Sequence, residues 1–276
     1  MTPVWSPRRL FLTVLPDADR EAVVAQSEEL ARLLGIEIAG VLLEERDLFL
    51  AAGLPGTAEF GLVSRRVRPI AAAPLEAEIA RSLAATARAL ETVAQATGCS
   101  VTLTRERSST SEALSRALPE DLLVFAGPLA RLDEPEVTRG LLAAAARSAG
   151  LLLPGPRRAP HGPVFAVTGT ARLAGQMLPV LARLAPEGTR IGMLIGDAGA
   201  PEAGALATQA AEFGPRFDIR PAGGPDTLQA AALSAGAAQA RLLIVAAEPA
   251  GLAHGRTLRA LLRAAGCPVL LLRQES

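Results

Sequence analysis

The residues of this chain that could hold a ligand lie in glycine-containing turns in front of predicted helices. In the second half, the run Gly251-Leu-Ala-His-Gly-Arg-Thr257 combines two glycines, a cation and a hydroxyl, and Thr168-Gly169-Thr170 follows a predicted strand. Backbone N–H groups of such a loop and of the helix behind it bind phosphate oxygens, and an arginine can add a bidentate contact. The candidate anion-binding residues are therefore Thr168, Gly169, Gly251, Gly255, Arg256 and Thr257. A tight strand-to-helix turn with a solvated Arg256 explains the same pattern without a ligand, and we favour that interpretation.

Side chains for catalysis or metal binding do not form a recognisable set. The sequence contains no lysine, so its 28 basic residues are all arginine, which excludes a P-loop lysine, a kinase-type lysine and a Schiff base. The two cysteines, Cys99 and Cys267, and the two histidines, His161 and His254, lack the spacing of metal ligands. We expect no catalytic residues, no metal site and no enzymatic activity. No cofactor is expected either, and ATP or another adenine nucleotide is the ligand that remains open.

The composition indicates a folded protein without a nucleic-acid or membrane partner. Basic and acidic residues balance at 28 each, and 50% of the residues are hydrophobic. Zero net charge removes the basic surface that a phosphate backbone requires. No apolar run reaches the length of about 18 residues that a membrane span needs, and the run after Arg8-Arg9 ends at Leu15, too soon for an export signal. We therefore expect a cytoplasmic location.

Two series of alternating strand and helix patterns predict the elements that position these turns. The first series has strand-like apolar runs at 9–15, 36–43, 99–105, 122–126 and 151–153, and the second has them at 164–168, 190–195, 217–220, 242–246 and 269–272. Amphipathic segments separate these runs, and such alternation predicts parallel sheets with helices on both faces. The segment 45–73 is rich in glycine and proline and predicts a long loop or lid.

Local sequence matches relate the two series to each other. Leu122–Pro128 is similar to Leu242–Pro249, and Arg139–Gly150 is similar to Gly255–Gly266. Four prolines within residues 154–163 indicate a linker. The sequence therefore predicts a first domain at 1–153 with the long loop at 45–73, a linker at 154–163, and a second domain at 164–276, arranged as a tandem repeat.

Each half resembles a universal stress protein domain. The resemblance lies in the order of strands and helices, the acidic turn after the first strand, the glycine turn after the fourth, and the closing run Gly266-Cys-Pro-Val-Leu-Leu-Leu272. It covers essentially the whole chain and implies two tandem open five-stranded parallel sheets of Rossmann-like type with helices on both faces. It also implies that the final strands, Leu151–Leu153 and Val269–Leu272, pair with each other, within one chain or in a homodimer.

Family members that bind ATP resemble one another in a G-x-x-G loop followed by a later G-[S/T], and in an Asp after the first strand that holds the ribose. In the first half the resemblance places Asp17 at the ribose position, Gly127 after the fourth strand and Gly140 before the last helix. The G-x-x-G is absent, Leu141 replaces the hydroxyl residue, and the loop carries acidic side chains at 133, 134 and 136. These charges repel a triphosphate. We therefore predict two degenerate copies, of which the first has lost ATP binding.

The leading hypothesis is a non-enzymatic, stress-associated regulatory protein that binds a protein partner or a small ligand. The alternative is a nucleotide-binding switch or slow ATPase that uses the glycine loop of the second half. A third reading, a two-lobed α/β solute-binding protein, is disfavoured by the expectation of no export signal. For quaternary structure, the resemblance implies a homodimer or pairing of the two domains within one chain.

Overall fold

The strands and helices follow the order that the apolar runs predict. The computed structural model describes residues 5–60, 65, 67–69, 71–155, 161–214, 216–222, 227–246 and 255–273. The first half contains β1 (Arg9–Val14), α1 (Arg20–Leu34), β2 (Glu37–Glu45), α2 (Arg46–Ala52), β3 (Ala58–Phe60), β4 (Val67–Pro69), α3 (Ala72–Thr97), β5 (Val101–Ser108), α4 (Thr110–Leu114), β6 (Asp121–Ala126), α5 (Pro135–Arg147) and β7 (Gly150–Leu153).

The second half repeats this order in a shorter form. It contains β8 (Val164–Thr168), α6 (Ala171–Leu184), β9 (Ile191–Ile195), α7 (Ala200–Ala210), β10 (Phe217–Pro221), α8 (Thr227–Ala237), β11 (Leu242–Ala246), α9 (Gly255–Ala265) and β12 (Val269–Leu272). Two short 3₁₀ turns complete the structure, one at Leu129–Asp133 and one at Ala211–Phe213. Within the described ranges, no helix is both long enough and apolar enough to cross a membrane.

Ten strands form one continuous sheet, in the order β10-β9-β8-β11-β12-β7-β6-β1-β2-β5. The five strands of each half have the same internal order, because β8 and β11 are neighbours in one half as β1 and β6 are in the other. Strands within each half run parallel. The fold class is thus the predicted α/β class, with a mostly parallel sheet between helices.

The two halves meet where β7 pairs antiparallel with β12. Leu153 lies opposite Val269, and Gly150 lies opposite Leu272. The sequence led us to expect a five-stranded sheet in each half, with the final strands paired within one chain or between two, and this ladder joins the two sheets into one. The physical reason is that β7 and β12 are both entirely apolar and buried, and an unpaired edge of that kind would leave a row of N–H and C=O groups unsatisfied. The pairing that the resemblance implies therefore lies inside a single chain.

Helices cover both faces of the sheet, and each face has its own hydrophobic core. Leu10 and Leu12 of β1 point to the side that α1, α3, α6 and α7 cover. Phe11 points to the opposite side, under α4, α5, α8 and α9. Strands that are buried on both faces read as continuous apolar runs, and this explains why the runs were recognisable in the sequence.

The segment 45–73, predicted as a long loop, contains regular structure. Helix α2 occupies Arg46–Ala52, and β3 and β4 form a small antiparallel hairpin. The helix ends at Gly53, before the glycines and prolines that dominated the sequence pattern. It packs against the body of the protein through Phe49, whose ring lies under the Arg107 guanidinium, 3.9 Å from its centroid. We call residues 46–69 the insertion.

Residues 156–160 of the predicted linker lie outside the described ranges. Helix α1 makes one contact with the chain before this gap and one with the second half. Gln26 of α1 donates through its Nε2 atom to the carbonyl oxygen of Gly155 at 2.9 Å. Arg241, in front of β11, forms an ion pair with Glu29 of α1.

Candidate functional site

In an open parallel sheet, ligands bind at the carboxyl ends of the strands, where the strand order reverses. This chain has two such places, one at the ends of β1 and β6 and one at the ends of β8 and β11. Because β7 and β12 are antiparallel, the two places lie on opposite edges of the sheet. We call them the first edge and the second edge.

The turn after β1 brings two acidic residues, Asp17 and Asp19, to the first edge. Asp19 caps α1, because its Oδ1 atom accepts a hydrogen bond from the Ala22 N–H at 3.1 Å. Asp17, the predicted ribose-binding residue, is exposed in the same turn. The turn itself is held by Ser82 of α3, whose hydroxyl donates to the carbonyl oxygen of Pro16.

The glycines predicted for the first edge have packing roles. A Cβ atom on Gly127 would lie 2.9 Å from Cζ of Phe125 and 3.4 Å from Cδ1 of Leu15, so the space beside this glycine is filled by the protein itself. Gly140 lies within α5, and a Cβ atom there would lie 3.3 Å from the hydroxyl of Ser111 at the start of α4. Gly127 therefore leaves room for the ring of Phe125, and Gly140 allows α4 to pack close to α5.

An ion-pair network occupies the first edge at the end of β2. Glu44 is 5% exposed, and its two carboxylate oxygens accept hydrogen bonds from Arg105 and Arg107 of the neighbouring strand β5. Arg107 also donates from Nη2 to Oε1 of Glu76 on α3 at 2.8 Å. The hydrogen bonds to Glu76 and Glu44 raise the pKa of Arg107 above its ordinary value.

A second network lies beside the first, around Glu45. Its carboxylate accepts hydrogen bonds from Arg131 and from the hydroxyl of Thr110, the latter at 3.0 Å. Arg131 also pairs through Nε with Glu134 at 3.1 Å, and Asp133 pairs with Arg259 of α9. The acidic residues 133 and 134, expected to repel a triphosphate as free charges, are thus compensated by arginines. Both ion-pair networks lie at the first edge.

At the second edge, the turn after β8 is a capped strand-to-helix turn. Thr168 is 2% exposed, and its hydroxyl donates to the carbonyl oxygen of Thr170 at 3.4 Å. Thr170 caps α6 by accepting from the Leu173 N–H, and the Gly169 carbonyl accepts from the Asp197 N–H at 2.8 Å. The predicted site residues Thr168 and Gly169 therefore lie at this edge, and their hydrogen bonds stabilise the turn.

The glycine loop of the second half falls largely beyond what the structure describes. Gly251 lies outside the described residues. The backbone of Gly255, Arg256 and Thr257 forms the first turn of α9, and their side chains lie outside the described part of the chain. Their predicted contact with an anion stays a prediction.

A cavity of about 820 Å³ opens where β7 begins and β11 and β12 end. Both halves contribute to its lining, from the segment before β1, the turn before β6, helices α6 and α7, and the ends of β11 and β12. Its lining includes Trp5, Ala149, Met177, Phe213, Leu272 and Arg273. This cavity could not be recognised from the sequence, because the residues that line it are far apart along the chain. The single tryptophan in the segment before β1 was the one local signal.

The insertion presents apolar side chains to solvent. Of the seven large apolar side chains that are exposed among the described residues, five belong to it, namely Leu48, Leu50, Leu54, Phe60 and Val67. Phe60 and Val67 lie opposite each other in the β3–β4 hairpin. Within the described residues, His, Cys, Asp and Glu side chains form no group that could hold a metal ion.

Comparisons with known proteins bear on the fold. No protein-family model and no curated protein sequence matches the chain. A universal stress protein from Archaeoglobus fulgidus DSM 4304 is similar in structure, with a TM-score of 0.65 at 9% identity over 99% of this chain and 98% of the other. A putative universal stress protein from Pseudomonas aeruginosa UCBPP-PA14 has a TM-score of 0.59 at 14% identity, over 98% and 94% of the two chains.

A third similar structure is the cytoplasmic domain of a prokaryotic cation chloride cotransporter. Its TM-score is 0.52 at 13% identity, over 98% of this chain and 96% of that chain. At such low identities these likenesses concern the fold, which is the universal stress protein fold over nearly the whole chain.

Proposed function

We propose that this chain is a non-enzymatic, stress-associated regulatory protein of universal stress type, built as a tandem pair whose first half has lost nucleotide binding. The equal strand order of the two halves and the similarity to universal stress protein structures support the family assignment. The observation that carries the proposal is the closed first edge. There, arginines that could bind phosphate are already paired with the carboxylates of Glu44 and Glu45.

The cost of reopening this edge explains why a nucleotide would not bind there. Glu44 is buried, so taking Arg105 and Arg107 away from it would leave a carboxylate without its counter-charges. A triphosphate would also bring its own negative charge next to Glu45 and Glu134, which like-charge repulsion opposes. The chain's own ion pairs therefore outcompete the ligand.

Isothermal titration calorimetry of the full chain with ATP, ADP and AMP, with and without magnesium, tests this proposal. We expect at most one nucleotide per chain, and no change in any binding isotherm on Asp17→Ala, because the first half contributes no site. A hydrolysis assay with ATP should show no turnover above the buffer rate. Two bound nucleotides per chain, a loss of binding in Asp17→Ala, or saturable hydrolysis would each overturn the proposal.

A nucleotide-binding switch in the second half is the second candidate. It is favoured by the contrast between the two edges, because the second edge adjoins an open cavity while ion pairs occupy the first. If calorimetry finds one nucleotide per chain, Arg256→Ala should weaken its binding. Arg263→Ala is the matched control, since Arg263 is an exposed arginine later in the same helix. Equal effects of the two variants would exclude Arg256 as a phosphate ligand.

A further inference from the structure

The cavity between the halves has the size and the apolar walls of a small-molecule site. Its volume of about 820 Å³ falls in the range of ligand pockets, roughly 300–1,000 Å³. Trp5 and Phe213 supply aromatic surface, and Val180 and Leu272, 7% and 8% exposed, supply aliphatic surface. Such walls bind the hydrophobic body of a ligand by removing its apolar surface from water.

The wall formed by Trp5 is held in place from both halves. The indole Nε1 atom donates to the carbonyl oxygen of Ala149 at 3.0 Å, so the polar end of the ring is satisfied within the protein. Arg183 of α6 donates to the carbonyl oxygen of Trp5 at 3.4 Å. The aromatic ring therefore belongs to a preformed surface, which lowers the entropic cost of binding.

The charged groups of the described lining are two arginines and one glutamate. Arg172 lies in the first turn of α6 and makes no ion pair with any described residue, and Arg273 follows β12 and donates to the carbonyl oxygen of Arg147 at 3.1 Å. Glu120 is the acidic member. The hydrogen bonds that Arg9 donates to Asp121 raise the pKa of Arg9, and the negative charge of Glu120 contributes weakly to the same shift. The lining thus carries a net positive charge.

We propose that this cavity binds an amphipathic carboxylate, with its aliphatic or aromatic body against the apolar walls and its anionic group at Arg172 and Arg273. This inference rests on the proposed binding function, and it adds the class of ligand. Gln176 and Gln209 supply neutral donors and acceptors beside the walls, which fix orientation without adding charge.

The described lining suits a single negative charge better than a nucleotide. A nucleoside triphosphate carries several charges and is bound in proteins by backbone N–H groups, cations and a magnesium ion. Here the two arginines are partly offset by Glu120, and most of the remaining lining is apolar. A carboxylate with a hydrocarbon body matches both features.

The fluorescence of Trp5 gives a direct assay of the cavity. The chain has one tryptophan and no tyrosine, so tryptophan emission reports on this wall alone. We would titrate the full chain with decanoate and with 2-naphthoate, and use decanol as the uncharged match of decanoate. We expect a saturable change of emission with both carboxylates, and decanol should bind about tenfold more weakly because it lacks the charge that pairs with an arginine.

Two variants locate the site within the cavity. Arg172→Glu should weaken decanoate binding by at least about tenfold, because it replaces an attractive charge by a repulsive one. Arg88→Glu makes the same change at an exposed position on α3, outside the lining, and should leave binding unchanged. Gly175→Met places a side chain into the cavity, and it should fold normally because its Cβ meets Gln209 and Leu206 at 3.5 and 3.6 Å, ordinary contact distances. We expect it to block binding.

The exposed apolar surface of the insertion is the competing place for such probes. The double variant Leu54→Ser, Phe60→Ser removes two of its side chains and should leave the Trp5 titration as it is in the wild type. A large loss in this variant would move the site to the insertion and overturn the inference.

Three further results of these titrations would refute the proposed ligand. Absence of a saturable change with both carboxylates, equal binding of decanol and decanoate, or equal effects of Arg172→Glu and Arg88→Glu would each refute the proposed ligand class. Displacement of 2-naphthoate by ATP would identify the cavity as a nucleotide site. None of the first three results changes the nucleotide stoichiometry measured by calorimetry, so this inference can fail while the proposed function stands.

Discussion

Replacing Gly150 by alanine tests the junction at which the two halves meet in one sheet. Gly150 begins β7 and lies opposite Leu272. An added Cβ atom would lie 2.8 Å from the carbonyl oxygen of Leu271 in β12, and 3.4 Å from Cδ1 of both Leu122 and Leu270. The nearest atom belongs to the backbone and cannot rotate away, so the methyl group fits only if β12 moves.

The expected size of the effect follows from this geometry. Forcing an extra carbon into a packed interior costs about 1–3 kcal/mol, and for a chain of this size that corresponds to a fall in Tm of roughly 2–5 °C. Gly204→Ala is the matched control. Gly204 lies inside α7 with nothing within 4 Å of an added Cβ, and alanine in a helix should stabilise the protein by about 0.5–1 kcal/mol.

Calorimetric Tm values and urea denaturation followed by circular dichroism measure both variants. We expect opposite signs, a loss for Gly150→Ala and a gain for Gly204→Ala. If Gly150→Ala retains the wild-type Tm while the control shows its gain, the close contact between β7 and β12 does not exist in solution. The joining of the halves within one chain would then have to be abandoned.

Two further substitutions test charged groups away from the junction. Arg9→Met removes the partner of the fully buried Asp121 carboxylate, and urea denaturation should show that the free energy of unfolding falls by about 3 kcal/mol. The control Arg8→Met, at the exposed neighbouring residue, should lower it by less than about 0.5 kcal/mol. Similar losses in the two variants would contradict the buried ion pair. Glu112 accepts from the Ser109 N–H, and this hydrogen bond lowers the pKa of Glu112 below its ordinary 4.5. The ionised group therefore stabilises the fold at neutral pH and loses this effect as the pH falls through the lowered pKa. The stability difference between the wild type and Glu112→Gln should narrow below about pH 4; a constant difference would disprove a role for the charge.

Sequence patterns predicted elements well where the information is local. The run at 242–246 forms the buried strand β11 with the predicted bounds, and the run at 122–126 forms β6, which begins one residue earlier, at Asp121. Gly35 ends α1 in the left-handed conformation, with φ of 65°, as expected of a glycine after the last helical turn. The insertion was predicted less well, because glycines and prolines beyond Gly53 hid the short helix in front of them.

The first edge shows what residue types alone could not reveal. The sequence placed acidic residues in the loop after β6 and predicted that they would repel a phosphate. In the structure Glu134 is paired with Arg131, and Arg131 also reaches Glu45, 86 positions away. Charge partners so distant along the chain leave no periodic pattern in the sequence. They come together only in the folded sheet, where the end of β2 lies close to the turn after β6.

The sequence by itself determined the alternation of strands and helices, the class of the fold and the absence of a lysine-dependent mechanism, since these follow from local hydrophobic periodicity and composition. The tertiary structure alone decided three things. It paired β7 with β12 within one chain, placed ion pairs at the first edge, and formed the cavity that Trp5 and Leu272 line. All three depend on contacts between distant segments, because burial, charge pairing and cavity shape arise only when the sheet has assembled.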